Sequence, residues 1–198
     1  MTFSRIFNGL WRSKADTDLG RATRRQMLLR QNAIQRWACE ANLAPAWDGR
    51  TQVIARLIPE DSRVIEFGAG RRSLEKMLPH GCVYTPSDLV PRGSGCLVID
   101  LNRRIPNLGC YDVAVFSGVL EYVYDVPGVI RRVAEFSNMI VASYAVTDFT
   151  PKLRRNQGWV NDFSGSRFRN LLARSGFSEV QEIRWRTQFI FAARQARA

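Results

Sequence analysis

The segment Val64-Ile65-Glu66-Phe67-Gly68-Ala69-Gly70 constrains this chain most strongly. A short apolar run that breaks off in glycines predicts a strand buried on both faces. The glycines let the backbone turn tightly and come close to a ligand. Glu66 puts a carboxylate at the predicted carboxyl end of the strand. Asp88 follows 22 residues later, at the end of the next predicted strand. An acid in that place can bind two ribose hydroxyls. Both features suit a ligand that contains a nucleoside.

The rest of the chain from residue 63 alternates strand and helix. Strands are predicted at 63–67, 82–85 (running on toward Asp88), 96–100, 112–117 and 139–143, with a last antiparallel pair at 180–184 and 188–193. Helices are predicted at 72–78, 126–136 and 164–175, the last closed by Gly176. This order predicts an α/β fold: a Rossmann-like, open, mostly parallel seven-stranded sheet with helices on both faces. Ligands of such sheets sit beyond the carboxyl ends of the strands. Residues 1–50 read as a basic helical N-terminal extension able to cover the site, and 51–198 as the main domain. In the extension, Phe3, Ile6, Phe7, Leu10 and Trp11 recur at helical spacing. That pattern fits docking on the chain's own domain or on a partner, or lying on a membrane surface. Residues 21–42 read as one helix, and 51–58 as a short one stopped by Pro59.

The glycine pattern departs from the dinucleotide fingerprint G-x-G-x-x-G, because Ser73 replaces the third glycine. A carboxylate just before the first glycine suits an ammonium group better than a pyrophosphate. With the later segments, the chain resembles class I S-adenosylmethionine-dependent methyltransferases across about residues 51–193. Val64–Gly70 resembles the first motif of that family. Ile99-Asp100-Leu101-Asn102 resembles the end of the third strand. Tyr111–Val123 resembles the fourth strand and its loop, and Gly158–Phe163 the segment before the last strand pair. The resemblance implies S-adenosylmethionine as cofactor. It implies Glu66 near the methionine ammonium, Gly68, Ala69 and Gly70 beneath the cofactor, and Asp88 at the ribose. It implies Asp100 and Leu101 at the adenine, and Ser117 and Gly118 bordering methionine and substrate.

Methyl transfer needs an aligned nucleophile and, for a hydroxyl or ammonium acceptor, removal of a proton. The family's fourth motif commonly reads Glu-His where this chain has Glu121-Tyr122, and Asp162 stands where a histidine often follows the tryptophan. The single histidine, His80, lies in a turn predicted at the far edge of the sheet. The candidate bases are therefore Glu121, Tyr122, Asp148 and Asp162, of which Glu121, Tyr122 and Asp162 are taken as the candidate catalytic groups. Tyr124, Tyr144, Asp148 and Trp159 are candidates for contact with substrate. Arg154 and Arg155 are candidates for an anionic acceptor. No metal-ligand cluster is visible.

The net charge of +11 is unevenly spread. Residues 1–36 carry +6, residues 37–151 carry −2 and residues 152–198 carry +7. Basic ends attract nucleic acid, anionic lipid or an anionic substrate, or form a solvated surface. The four cysteines are scattered, with no C-x-x-C pair. Together with the lack of a signal-peptide pattern or a membrane-spanning run, they suit a cytoplasmic protein. The leading expectation is an enzyme that methylates an oxygen or nitrogen of a small or medium-sized metabolite. An RNA- or polyanion-directed methyltransferase and a catalytically silent binding partner are the alternatives. The sequence leaves the oligomeric state open.

Overall fold

The computed structural model describes residues 17–150 and 152–196. The apolar pattern at residues 3–11 lies outside the described residues. The helices are α1 (Asp18–Leu29), α2 (Ile34–Ala38), α3 (Asp48–Ala55), α4 (Val126–Ala134) and α5 (Gly165–Arg174). The strands are β1 (Arg63–Phe67), β2 (Val83–Asp88), β3 (Leu97–Val98), β4 (Tyr111–Ser117), β5 (Ser137–Tyr144), β6 (Phe177–Trp185) and β7 (Gln188–Gln195). They form one seven-stranded sheet in the order β3-β2-β1-β4-β5-β7-β6. The first five strands are parallel, whereas β7 runs antiparallel to both β5 and β6. This is the expected Rossmann-like α/β architecture.

Successive side chains of a strand point to opposite faces, so a sheet covered on both sides needs apolar residues in both registers. Ile65, Phe67, Ala114, Phe116, Ile140 and Ala142 face one core, closed by Val126, Ile130 and Val133 of α4 and by Phe168 and Leu172 of α5. Val64, Val113, Val115, Met139 and Val141 face the other, closed by Ile54 and Ala55 of α3. Glu66 belongs to this second register but is a carboxylate, which marks it as a residue placed for something other than packing. The flanking helices have ordinary starts. Asp125 accepts from the Gly128 amide at the head of α4, and Ser164 accepts from Arg167 at the head of α5.

Three expectations are corrected. The helix predicted over 21–42 breaks after α1. Arg30 takes a left-handed conformation (φ 48°), and the Gln31 amide bonds back to the Gln26 carbonyl, a Schellman-type close. The helix predicted over 72–78 shrinks to a single 3-10 turn at Leu74–Lys76. Arg72 stands at φ 56°, so the glycine turn continues into the segment where a helix would begin. The third strand is only two residues long, because Gly93 and Gly95 hold the chain before it in left-handed turns.

Parallel pairing of β1 with β2 and β4 brings their carboxyl ends to one edge. Glu66, Asp88 and Ser117 end these strands together. His80 sits at the opposite edge, where its carbonyl accepts from the Asp61 amide at 3.0 Å.

Candidate cofactor site

A pocket opens at the carboxyl edge of the sheet. It is lined by Glu66 and the Gly68-Ala69-Gly70 turn, by Asp88 and Asp100, and by Ser117 and Gly118. Its roof comes from the N-terminal segment, through Asn32, Trp37, Leu43 and Trp47 among others.

The glycine turn is built for close approach. Gly68 and Gly70 both have positive φ, 73° and 51°. A Cβ on Gly68 would lie 2.9 Å from Val119 side-chain carbons, so only glycine fits there without displacement. The Ala69 amide donates to the Ser87 carbonyl at 2.9 Å, and the Gly70 amide to Asp88 Oδ2 at 2.9 Å. The turn is thus fixed to the end of β2.

Glu66 is 3% exposed. The Tyr84 hydroxyl donates to its Oε2. Burial raises its pKa to about 8, against the lowering effects of the Tyr84 bond and the nearby Arg50 charge. Tyr84 is pushed far up by burial and by its acidic neighbour, so it remains a donor. Glu66 is therefore mostly neutral at pH 7 and gains from a cation placed beside it.

Asp88 is almost buried. Besides Gly70, it meets Arg92 Nε at 3.3 Å, and its Oδ1 accepts from the Val90 amide at 3.3 Å. Arg92 also donates to the Trp37 carbonyl, which ties this carboxylate to the roof. Asp100 accepts from the Asn102 amide at 2.9 Å and from Asn32 Nδ2 at 2.5 Å. Asn102 in turn bonds Asn32, the Tyr122 carbonyl and the Tyr124 amide.

Arg50 is a feature that the sequence reading missed. It projects from α3 into the pocket and is 5% exposed. It donates to the Ser117 carbonyl at 3.0 Å, to Ser117 Oγ at 3.3 Å and to Gln188 Oε1 at 3.3 Å. Burial lowers its pKa, opposed by the charges of Glu121, Tyr122 and Glu66. A Cβ on Gly118 would fall 2.4 Å from its guanidinium, so that glycine makes the passage for it. Its neighbours in the chain gave no signal for it: Arg50 falls just before the helix expected over 51–58, and its burial beside Thr51, Ile54 and Ala55 emerges only from the packing of α3. Asn32, Asn102 and Arg92 were also missed, and no local pattern distinguishes them.

The remaining sequence candidates divide. Tyr122 and Tyr124 line the pocket. Burial pushes the Tyr122 phenol up to about 12, and its ring meets Trp37 edge-on at 4.8 Å. Leu101 also lines the pocket. Glu121 does not. It is 1% exposed, and its Oε1 accepts from the Ala145 amide at 2.7 Å, which staples the loop after β4 to the end of β5. Burial raises its pKa.

The structure sets Tyr144, Asp148, Asp162 and Trp159 away from the pocket lining. Tyr144 is fully buried, stacked on Phe168 at 4.9 Å and bonded to Asn161, Arg154 and the Phe163 amide. Asp148 accepts from the Gly165 amide at the head of α5. Asp162 pairs with both Arg154 and Arg155, so the two arginines expected to face an anionic acceptor are engaged with it. The Trp159 ring lies against the Arg154 guanidinium at 4.7 Å. In each case a polar group near the sheet edge has been absorbed into a network that holds the 145–165 segment together.

The donor set matches a zwitterionic nucleoside ligand. Two carboxylates stand at the ends of β2 and β3. A neutralised acid and a buried guanidinium stand at the ends of β1 and β4. Fold and pocket together define an α/β chain of the class I S-adenosylmethionine-dependent methyltransferase architecture. The family model described as "Methyltransferase domain" matches residues 39–182. The chain belongs to that family. No curated protein matches it.

Solved structures share the fold at low identity. One is Burkholderia thailandensis 1,6-didemethyltoxoflavin-N1-methyltransferase with 1,6-didemethyltoxoflavin and S-adenosylhomocysteine bound (16% identity, 89% of each chain covered, TM-score 0.60). Another is a putative O-methyltransferase from Nostoc punctiforme (12%, 90% of this chain and 69% of that one, TM-score 0.63). A third is an S-adenosylmethionine-dependent methyltransferase from Mesorhizobium loti (17%, 75% and 100%, TM-score 0.58).

Proposed function

We propose that this chain is an enzyme that transfers a methyl group from S-adenosylmethionine to an oxygen or nitrogen of a small or medium-sized metabolite. The observation that carries this reading is the convergence of Glu66, Arg50, Asp88 and Asp100 on one pocket at the carboxyl edge of the sheet. In this reading Glu66 takes the methionine ammonium and gives up its proton as it does so. Arg50 takes the methionine carboxylate, since its guanidinium already holds the adjoining Ser117 carbonyl. Asp88 takes the ribose hydroxyls and Asp100 the adenine amino group, with the Leu101 backbone at the ring. Gly68, Ala69 and Gly70 run beneath, and Ser117 and Gly118 border the methionine end. The cofactor supplies an electrophilic methyl carbon on sulfur.

The chain's own part is alignment and exclusion of water. Residues 17–47 act as a cover over the main domain, a role that their bonds to Asp100, Arg92 and Gln157 support. Tyr122 and Tyr124 orient the acceptor from beside the pocket. The Tyr122 phenol keeps its proton near neutral pH, so it serves as a hydrogen-bond donor to the acceptor. Glu121 and Asp162 hold the loops that shape the site. The small-molecule acceptor is supported by the roofed pocket. It also accords with neighbours that are an N1-methyltransferase of 1,6-didemethyltoxoflavin and a putative O-methyltransferase.

The test is calorimetry with S-adenosylmethionine and S-adenosylhomocysteine. Saturable one-to-one binding of both is expected. Absence of binding to either would remove the proposal.

A further inference from the structure

The cover has an outer face that the pocket does not explain. Leu28 is 86% exposed, Leu29 54% and Ile34 50%. Single exposed apolar residues are ordinary on protein surfaces. Here three large ones fall within seven residues, across the turn that joins α1 to α2. Arg24, Arg25 and Arg30 are exposed on the same segment. Between residues 17 and 39 the chain carries five arginines and one acid, Asp18. Apolar side chains set among arginines, in a segment whose one acid is Asp18, match the boundary between anionic headgroups and acyl chains.

A second observation lies in the sequence just before this segment. Phe3, Ile6, Phe7, Leu10 and Trp11 repeat at helical spacing, with Arg5, Arg12 and Lys14 around them. Binding of such segments strengthens with the apolar area they bury and with their attraction to anionic lipid. This chain carries a basic apolar turn and a basic amphipathic stretch in succession.

We infer that the α1–α2 turn of the cover, with Leu28, Leu29 and Ile34 as its apolar contacts and Arg24, Arg25 and Arg30 around them, docks on an anionic lipid surface. The inner side of the same segment lines the pocket through Gln26, Gln31, Asn32 and Ala33. Tyr124 donates to the Gln31 carbonyl at 2.9 Å, so the docking turn is bonded directly to the site. Docking therefore bears on the element that closes the site. The inference stands independently of the methyl-transfer reading.

The test is co-sedimentation of the full chain with phosphatidylcholine vesicles, with and without phosphatidylglycerol. It uses the wild type, the combined variant Leu28→Ser/Leu29→Ser/Ile34→Ser and the variant Arg25→Glu. All four positions are exposed and outside the pocket lining, so thermal melting and S-adenosylhomocysteine calorimetry serve as controls on folding and on the site. Binding to phosphatidylglycerol vesicles that weakens with salt, and falls roughly tenfold or more in each variant, is the expected result. No vesicle binding by the wild type, equal binding to neutral vesicles, or full binding by the apolar variant would overturn the inference. A self-association abolished by the apolar variant, with no lipid binding, would assign the patch to a second copy and overturn it too.

Discussion

Replacing Arg50 by methionine separates cofactor binding from support of the fold. The side chain is 5% exposed and bonds the Ser117 carbonyl and hydroxyl at 3.0 and 3.3 Å. Methionine fills much of the same volume, so packing is largely kept. The Ser117 carbonyl loses a partner, at a cost of about 1–3 kcal/mol. Removal of a desolvated cation offsets part of that. The net change in melting temperature is therefore small, about 2–4 °C for each kcal/mol. Binding responds differently. If the guanidinium takes the methionine carboxylate, the variant loses a charge-assisted contact worth about 1.5–3 kcal/mol, or roughly 10- to 150-fold in affinity. The assay is calorimetry with S-adenosylhomocysteine and with its decarboxylated analogue, on wild type and variant. The wild type prefers the carboxylated ligand and the variant does not. An equal loss for both ligands would show that Arg50 acts only by holding Ser117, and would refute the reasoning.

Two further outcomes follow from the geometry. Gly68→Ala places a Cβ 2.9 Å from Val119 at φ 73°, whereas Gly70→Ala meets nothing nearer than 3.6 Å. The first substitution therefore lowers the melting temperature and S-adenosylhomocysteine affinity more than the second, and equal effects would argue against the close fit of the turn to Val119. Glu66, with its pKa near 8 in the free protein, is protonated at pH 7 and must lose that proton beside a bound ammonium. Its pKa falls on binding, so a proton is released and affinity rises with pH, by up to roughly tenfold per unit below pH 8. Calorimetry at pH 7 in buffers of different ionisation enthalpy reads that release directly, and no dependence on buffer would contradict the assignment.

The sheet was legible because its signal is local. Val64–Gly70 and Tyr111–Ser117 carry apolar residues in both registers, which only a strand covered on both faces requires. The places of Glu66, Asp88 and Asp100 at the carboxyl edge were legible because each lies at or just past the end of a strand, and strand ends are countable in sequence. Arg50 was not, since its place depends on how α3 crosses the sheet rather than on its neighbours in the chain. Tyr144 and Asp162 show the converse. An aromatic at the end of β5 and an acid in the segment before α5 suggest a site, but Arg154 lies between them and draws both into the framework. The break at Arg30 was hidden because a left-handed arginine carries no signal of composition. It matters for the site, because the turn it makes delivers Asn32 to Asp100.

The central claim is that the carboxyl edge of the sheet, and not its opposite edge, holds an S-adenosyl ligand. Calorimetric titration of S-adenosylhomocysteine into Glu66→Ala, Asp88→Ala and His80→Ala tests it most directly, alongside thermal melts that check folding. The account predicts one-to-one binding by the wild type, a loss of roughly tenfold or more in the first two variants, and unchanged affinity in the third. Equal effects at all three positions, or undiminished binding in the first two, would contradict it.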